Sequence, residues 1–128
     1  MLDERITWGC PIIGCPSYLE LMVDRLRRYK LPAEPPYLPA SFVKAVQRHD
    51  PGCQWRALKV IPPSLKGKNI LVLSGGIDQL VPWSASEEFV STLEKESGIV
   101  QVKVYEGVGH EYPQIMMDDL YDWAVKFL

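Results

Sequence analysis

Two side chains suited to proton transfer, Asp78 and His110, each follow a strand-like segment of this sequence. Asp78 comes after the apolar run 70–73 and the pair Gly75-Gly76, where the backbone is free to turn sharply. His110 closes the loop Gly-Val-Gly-His, 32 residues later (110 minus 78). A carboxylate can orient an imidazole and stabilise its positive form, while the imidazole removes a proton from a nucleophile. These residue types therefore predict an acid–base pair that serves acyl transfer.

The elements around the pair predict that both side chains lie at one edge of a sheet. Residues 70–73 are continuously apolar, as in a strand buried on both faces of a parallel sheet. Residues 100–104 alternate valine with polar residues, which predicts a strand with one wetter face that ends at Tyr105. Ser84 and Glu87 form a capping box for a helix between these strands, ending near Gly98. A right-handed strand–helix–strand crossover brings both strand ends to the same edge, where open α/β sheets bind ligands.

Upstream of residue 69 the sequence predicts another strand, two helices and a stiff connector. Residues 5–10 are rich in β-forming residues. Ser17 and Glu20 form a capping box for an amphipathic helix that runs to about Tyr29. Residues 31–40 carry four prolines and should be extended. Ser41 is a candidate cap for a short helix that ends before Pro51, residues 54–61 allow a short helical turn, and residues 62–67 are a predicted loop.

Charged residues away from the pair are interpreted as solvent-facing. Arg25, Arg27, Arg28 and Lys30 lie in the last turns of the predicted helix, where cations suit the helix dipole, although a phosphate or an acidic partner is an alternative. The final helix has a buried stripe and, mainly off that stripe, a solvated acidic face. The stripe contains Ile115, Met116, Leu120, Trp123, Ala124 and Phe127, and the acidic face contains Asp118, Asp119 and Asp122.

Composition favours one ordinary globular domain over residues 1–128, with 47% hydrophobic and 23% charged residues. The net charge of −2 gives no electrostatic reason to expect nucleic acid. No apolar stretch would span a membrane and no secretory signal is visible, so a cytoplasmic location is expected. Cys10, Cys15 and Cys53 lack metal-site spacing and are expected to be reduced. No glycine-rich phosphate loop opens a helix, so no cofactor is expected. No metal is expected either, because the cysteines lack metal-site spacing and no EF-hand loop pattern is present.

Three segments resemble the C-terminal part of α/β-hydrolase-fold proteins. They are Leu-Val-Leu-Ser-Gly-Gly-Ile-Asp-Gln-Leu-Val-Pro at 71–82, Val-Tyr-Glu-Gly-Val-Gly-His-Glu at 104–111, and the last helix with its Trp-Ala-Val-Lys-Phe-Leu ending. The chain is most similar to the fungal prolyl-oligopeptidase- and dienelactone-hydrolase-like group, specifically from residue 69 onward and more loosely before it. The resemblance implies that Asp78 is the acid and His110 the base of a catalytic triad, in the family's chain order of nucleophile, acid, base. The implied fold is a partial α/β-hydrolase sheet of about three parallel strands with flanking helices.

The Gly-x-Ser-x-Gly nucleophile motif of that family does not occur in this sequence. Ser74 lies at the acid strand, Ser17 at a helix cap, and Cys15 and Cys53 lack the motif's glycines, so none of the four is expected to be the nucleophile. The expectation is a hydrolase part that supplies the acid and base, is inactive alone, and acts on a small acyl substrate once the serine is supplied from elsewhere. The alternative is a non-catalytic interaction or dimerisation module. Either reading leaves a sheet edge that predicts pairing with a second copy or with a complementary hydrolase half.

Overall fold

The computed structural model of the protein describes residues 3, 5–58, 60–61, 63–97 and 99–128. In chain order they form β1 (Trp8–Gly9), α1 (Tyr18–Arg28), α2 (Ala40–His49), α3 (Pro51–Leu58), β2 (Asn69–Gly75), α4 (Glu87–Ser97), β3 (Val100–Tyr105) and α5 (Gln114–Ala124). Short 3₁₀ turns lie at Pro63–Leu65, Trp83–Ala85 and Val125–Phe127. The predicted helix end at Gly98 and the first residue of the predicted 62–67 loop fall outside the described residues.

The three strands form one parallel sheet in the order β1-β2-β3, with helices on both faces. β3 pairs with β2 along the whole length of β3, from Val100 opposite Ile70 to Tyr105 opposite Gly75. The predicted fold class is therefore confirmed: three parallel strands with flanking helices. Since β2 and β3 are parallel and joined through α4, their carboxyl ends meet at one edge, as the sequence predicted.

β1 is shorter than the predicted strand over residues 5–10. It covers only Trp8–Gly9, and beyond it a single bridge joins Ile12 to Leu73 of β2. Pro11 has no amide hydrogen to donate to a ladder, although its carbonyl accepts from the Leu73 amide at 3.2 Å. Ile13 then has a positive φ of 51°, which turns the chain out of the strand direction. The local backbone therefore ends the strand early.

The core lies in two clusters, one on each face of β2, because successive side chains of a strand point to opposite faces. One face packs against α4 and the turn before β2, and the other packs against α5. The first cluster contains Trp55, Ile61, Leu65, Ile70, Val72, Phe89, Val90 and Leu93. The second contains Leu71, Leu73, Met116 and Trp123. Burial of β2 on both faces confirms the interpretation of its apolar run.

The helix starts differ in part from the capping predictions. Ser17 does cap α1, because its Oγ accepts from the Glu20 amide at 3.4 Å, while the Glu20 carboxylate pairs with Arg56 at 2.5 Å. The predicted cap at Ser41 is wrong, since α2 begins at Ala40 after Pro39, which makes no side-chain cap bond. The predicted cap at Ser84 is also wrong, since that residue lies inside a 3₁₀ turn and α4 begins at Glu87.

Residues 51–58 form a full helix, α3, where only a short helical turn within residues 54–61 was predicted. Pro51 is suited to a first helical position, where no amide hydrogen is needed. Asp50, which is buried, caps the helix through Oδ1, which accepts from the Cys53 amide at 3.0 Å. Its other oxygen accepts from the Leu19 amide at 3.2 Å and so ties α3 to the start of α1.

Candidate active site

Asp78 lies in the loop that follows β2, at the carboxyl edge of the sheet. Its side chain is fully buried. One carboxylate oxygen, Oδ1, accepts from the backbone amides of Leu80 at 2.8 Å and Val81 at 2.9 Å. An aspartate that folds back on the amides two and three residues ahead forms a local turn, so the loop itself fixes the direction of the carboxylate.

The surroundings of Asp78 keep its carboxyl group ionised. Burial alone would raise the pKa, because it disfavours the charged form. The hydrogen bonds from the Val81 amide, the His110 ring and the Leu80 amide outweigh burial, and they bring the pKa below the ordinary value of 3.8. Asp78 is therefore a carboxylate at neutral pH, in the protonation state that can accept a hydrogen bond from an imidazole.

His110 lies in the loop that follows β3, beside Asp78. Its Nδ1 is 2.9 Å from Asp78 Oδ2, and its side chain is 45% exposed whereas that of Asp78 is inaccessible. Because an ionised carboxylate can only accept, Nδ1 is the donor in this hydrogen bond, and in the neutral form of the ring Nε2 is then the nitrogen without a hydrogen. The structure thus brings the two predicted site residues together, with one nitrogen of the imidazole oriented and the other able to accept a proton.

Backbone hydrogen bonds join the loop that carries Asp78 (residues 76–82, the acid loop) to the loop that carries His110 (residues 106–113, the base loop). The Gly76 amide donates to the Tyr105 carbonyl at 2.8 Å, and the Ile77 amide donates to the Val108 carbonyl at 3.1 Å. Gly107 has a positive φ of 76°, which turns the base loop back towards β2. The two catalytic candidates are therefore carried by loops that form one hydrogen-bonded unit.

Glycine at position 75 is needed for close packing. A Cβ atom there would lie 2.4 Å from the Gly109 carbonyl oxygen and 2.5 Å from the Val108 carbonyl oxygen. Neither Gly75 nor Gly76 has a positive φ, so the sharp turn that the sequence suggested is not what requires glycine. The requirement comes from the base loop, which crosses directly over the end of β2.

The four alternative nucleophiles considered from the sequence are buried or partly buried. Ser74 is buried within β2, and Ser17 is buried at the start of α1. Burial raises the pKa of both Cys15 and Cys53 thiols, which disfavours the reactive thiolate. Within the described part of the chain, none of these four side chains hydrogen-bonds to His110.

Arg25 and Arg28 contact the acid loop, although they were predicted to lie on a solvated face of their helix. Arg25 Nη2 donates to the Leu80 carbonyl at 3.1 Å, and Arg28 Nη1 donates to the Gln79 carbonyl at 2.5 Å. Their sequence neighbours gave no sign of this, because the contacts join residues more than 50 positions apart.

Asp119, which was interpreted as part of a solvated face, is partly exposed and also has partners on β3. It accepts from Lys103 at 2.5 Å and from the Tyr105 hydroxyl, both on β3. Its two partners hold the pKa of Asp119 below the ordinary value. Nothing in the local sequence distinguishes Asp119 from its neighbour Asp118, which is exposed.

A search of the described residues for metal sites found no group of three or more histidine, cysteine, aspartate or glutamate side chains that could hold an ion. The same residues include no helix that is long and apolar enough to cross a membrane.

Comparison with known proteins finds a similar fold in a solved structure. No protein-family model matches the sequence, and no curated protein matches it. An esterase from Pyrococcus furiosus has a similar structure, with 23% sequence identity and a TM-score of 0.52, over 96% of this chain and 44% of the esterase. A protein of unknown function from Agrobacterium tumefaciens matches at 19% identity and a TM-score of 0.44, over 48% of this chain and 30% of its own, and supports no conclusion.

The likeness to the esterase shows a shared fold, in which three parallel strands and their flanking helices form an α/β arrangement. This chain spans less than half the length of that esterase.

Proposed function

We propose that this chain is the C-terminal part of a serine hydrolase of the α/β-hydrolase fold, similar to the prolyl-oligopeptidase- and dienelactone-hydrolase-like group. In this proposal Asp78 is the catalytic acid, His110 is the catalytic base, and a serine outside this sequence is the nucleophile. The reaction is the hydrolysis of an ester or a related acyl bond of a small substrate, in the cytoplasm. The 2.9 Å contact between Asp78 Oδ2 and His110 Nδ1 at the carboxyl edge of the sheet carries the proposal.

The chemistry follows from the protonation states of the pair. His110 Nε2 takes the proton of the serine hydroxyl as that oxygen attacks the acyl carbon, and the ring becomes an imidazolium. The Asp78 carboxylate stabilises this positive ring and holds it in the required orientation. The imidazolium then returns the proton to the leaving group, and a second cycle with water releases the acid and restores the serine.

A fluorophosphonate probe tests the proposal, because it reacts only with an activated serine. The affinity-tagged chain, isolated with whatever it binds in its native cell, is treated with the probe, and the labelled serine is located by mass spectrometry. We expect no label within residues 1–128 and a label on a Gly-x-Ser-x-Gly serine in the isolated material.

Variants of Asp78 and His110 show whether labelling of that serine depends on this pair. His110→Ala should slow labelling of that serine by as much as about 10⁶-fold, and Asp78→Asn by about 10⁴-fold. Labelling that is unaffected by His110→Ala, labelling of a serine within this chain, or the absence of any labelled serine would contradict the proposal.

A second candidate, a non-catalytic hydrolase-like interaction module, is favoured by the outer edge of β1. In the described residues β1 pairs with β2 on one side only, and both Trp8 in β1 and Ile6 just before it are more than a third exposed. We propose that this edge pairs with a complementary hydrolase half in the catalytic case and with a second copy of the chain in the non-catalytic case, because unpaired strand edges recruit further strands.

Sedimentation velocity over a concentration series separates these cases. Self-association that is lost in Ile6→Lys, which places a charge beside β1, supports the module. Ile99→Lys is the matched control, since Ile99 is similarly exposed but precedes β3 at the opposite edge of the sheet. A chain that stays monomeric at high concentration excludes the self-associating module.

A further inference from the structure

Two peptide groups of the acid loop connect the Asp78 carboxylate to arginines of α1. The peptide group between residues 79 and 80 donates its N–H to Asp78 Oδ1 and accepts from Arg28 through its carbonyl. The peptide group between residues 80 and 81 donates its N–H to the same oxygen and accepts from Arg25 through its carbonyl. Each peptide group thus has a guanidinium at one end and the carboxylate at the other.

We propose that Arg25 and Arg28 are positioning residues that hold the Asp78 carboxylate against His110 through these two peptide groups. The inference rests on the proposed function, in which Asp78 orients the base. The arginines touch neither a reacting atom nor the His110 ring, and they act only through the loop.

Three physical effects support this role. A cation at a carbonyl oxygen polarises the peptide group, which makes its N–H a stronger donor to the carboxylate, since hydrogen bonds in a chain reinforce one another. Charge-assisted hydrogen bonds are also stronger than neutral ones and limit the motion of the loop. Finally, Arg25 and Arg28 are fixed on a rigid element, because they are three residues apart and so lie on the same side of α1.

Asp24 helps to orient one of the two arginines. Its Oδ2 accepts from Arg28 Nε at 2.7 Å and from a second nitrogen of the same guanidinium, which leaves Nη1 for the Gln79 carbonyl. The guanidinium is thereby held between its own helix and the loop. A cation that served only the helix dipole would need no contact outside α1.

Proton NMR of the His110 ring tests the inference without requiring any catalysis. A ring N–H that donates to a carboxylate gives a far-downfield resonance and exchanges slowly with water. The sequence contains two histidines, so the measurement is made in a His49→Gln background, where only His110 contributes. The double variant Arg25→Ala/Arg28→Ala should lose the resonance, and Arg25→Lys/Arg28→Lys should restore it, since lysine keeps the charge and a donor.

Arg27→Ala is the matched control. It removes one positive charge from the same turn of α1, as each single arginine variant does, and within the described residues Arg27 makes no hydrogen bond or ion pair with the acid loop. The resonance should persist in this variant. A resonance that survives in the double alanine variant, that disappears equally in Arg27→Ala, or that is not restored by lysine overturns the inference.

Amide hydrogen exchange of the single variants gives a second and more specific test, which remains available if the double variant does not fold. Arg28→Ala should speed exchange of the Leu80 amide more than that of Val81, and Arg25→Ala should do the reverse. We expect a change of about tenfold, the effect of one lost charge-assisted bond on local opening. The inference is contradicted if both amides exchange equally faster in both variants, or if neither amide exchanges faster. Either result would mean that Arg28 does not act on the Leu80 amide, nor Arg25 on the Val81 amide.

The resonance of the wild-type chain tests the proposed function, and its response to the arginine substitutions tests the inference. A wild-type chain with no downfield Nδ1–H resonance lacks the Asp78–His110 hydrogen bond, and the proposed function then fails together with the inference. A wild-type resonance that the arginine substitutions leave unchanged overturns the inference alone.

Discussion

Two aspartates near the carboxyl edge of the sheet, Asp78 and Asp119, both bind cationic or hydrogen-bonding partners but in opposite settings. The Asp78 side chain is inaccessible to solvent, and its oxygens accept from two backbone amides and the His110 ring. Asp119 is 24% exposed and binds the side chains of Lys103 and Tyr105 across the surface between α5 and β3. The pKa of each lies below the ordinary value.

The comparison shows that a lowered pKa does not by itself distinguish a buried carboxylate from one at the surface. An exposed ion pair contributes little to stability, since water competes for both charges. A buried carboxylate is held by groups that have no other partner, so its removal leaves donors unsatisfied. Substitution of Asp78 should therefore change the free energy of unfolding strongly, and salt should alter that change little. Substitution of Asp119, which pairs with Lys103 and Tyr105 at the surface, should change the free energy of unfolding little, and salt should reduce that change.

The largest expected effect is that of Asp78→Ala, which leaves the Leu80 and Val81 amides without their acceptor. We expect the free energy of unfolding to fall by about 3 kcal/mol, because a buried donor such as the Val81 amide costs about 1–3 kcal/mol when it loses its partner, and the partly buried Leu80 amide adds to the loss. Urea denaturation followed by circular dichroism measures the change. A loss below about 1 kcal/mol would mean that the loop does not depend on the carboxylate.

Gly75→Ala should come next, since the new methyl group meets two carbonyl oxygens at 2.4 and 2.5 Å. Relief of this overlap requires the base loop to move away from β2, at about 2 kcal/mol of stability. His110 moves with that loop, so the ring N–H resonance should weaken as well.

Gly109→Ala is the control in the same loop, because a Cβ atom at position 109 has no neighbour within 4 Å. It should fold with nearly unchanged stability. Equal destabilisation by both substitutions would show that the loop is sensitive to any side chain, and that the close approach at Gly75 has no special effect.

The dependence of stability on pH also tests the setting of Asp78. The pKa of Asp78 is lower in the folded chain than in the unfolded chain, so its contribution to stability is complete above the unfolded value of about 3.9 and is lost as the pH falls through the folded value. Asp78→Asn should flatten the dependence of unfolding free energy on pH in that acidic window. An unchanged slope would mean that the Asp78 pKa is the same in both states.

The smallest expected effect is that of Asp119→Asn, which should lower the free energy of unfolding by less than about 1 kcal/mol. Salt at high concentration should abolish most of this difference, because the Lys103–Asp119 pair is exposed and screened. The effect of Asp78→Ala should be nearly independent of salt. The reverse pattern would contradict the assignment of the two aspartates to buried and surface settings.

The position of the Asp78–His110 pair was accessible from sequence because topology alone determines it. Two strand-like runs joined by a helix must end at the same edge, and each run is followed directly by one of the two side chains. The same reasoning gave the parallel sheet and the double burial of β2. The spacing of apolar residues within each short segment is enough to predict these strands and helices.

Contacts between distant segments were not accessible in this way. Arg25 and Arg28 look like any cations at a helix end, and only the packing of α1 beside the acid loop assigns them to the Gln79 and Leu80 carbonyls. Gly75 suggested a turn, whereas its actual constraint comes from a loop more than 30 residues away. Local patterns also misassigned the cap at Ser84, since a 3₁₀ turn precedes the helix there.

The strand–helix–strand unit that carries Asp78 and His110 has a consequence for folding. Both side chains belong to neighbouring elements, so the chain closes a loop of only 32 residues (110 minus 78) to bring them together. Contacts of short sequence separation generally form quickly, while the docking of α1 on the acid loop joins residues more than 50 positions apart. The imidazole and the carboxylate should therefore meet early in folding, and the arginines should immobilise them in a later step.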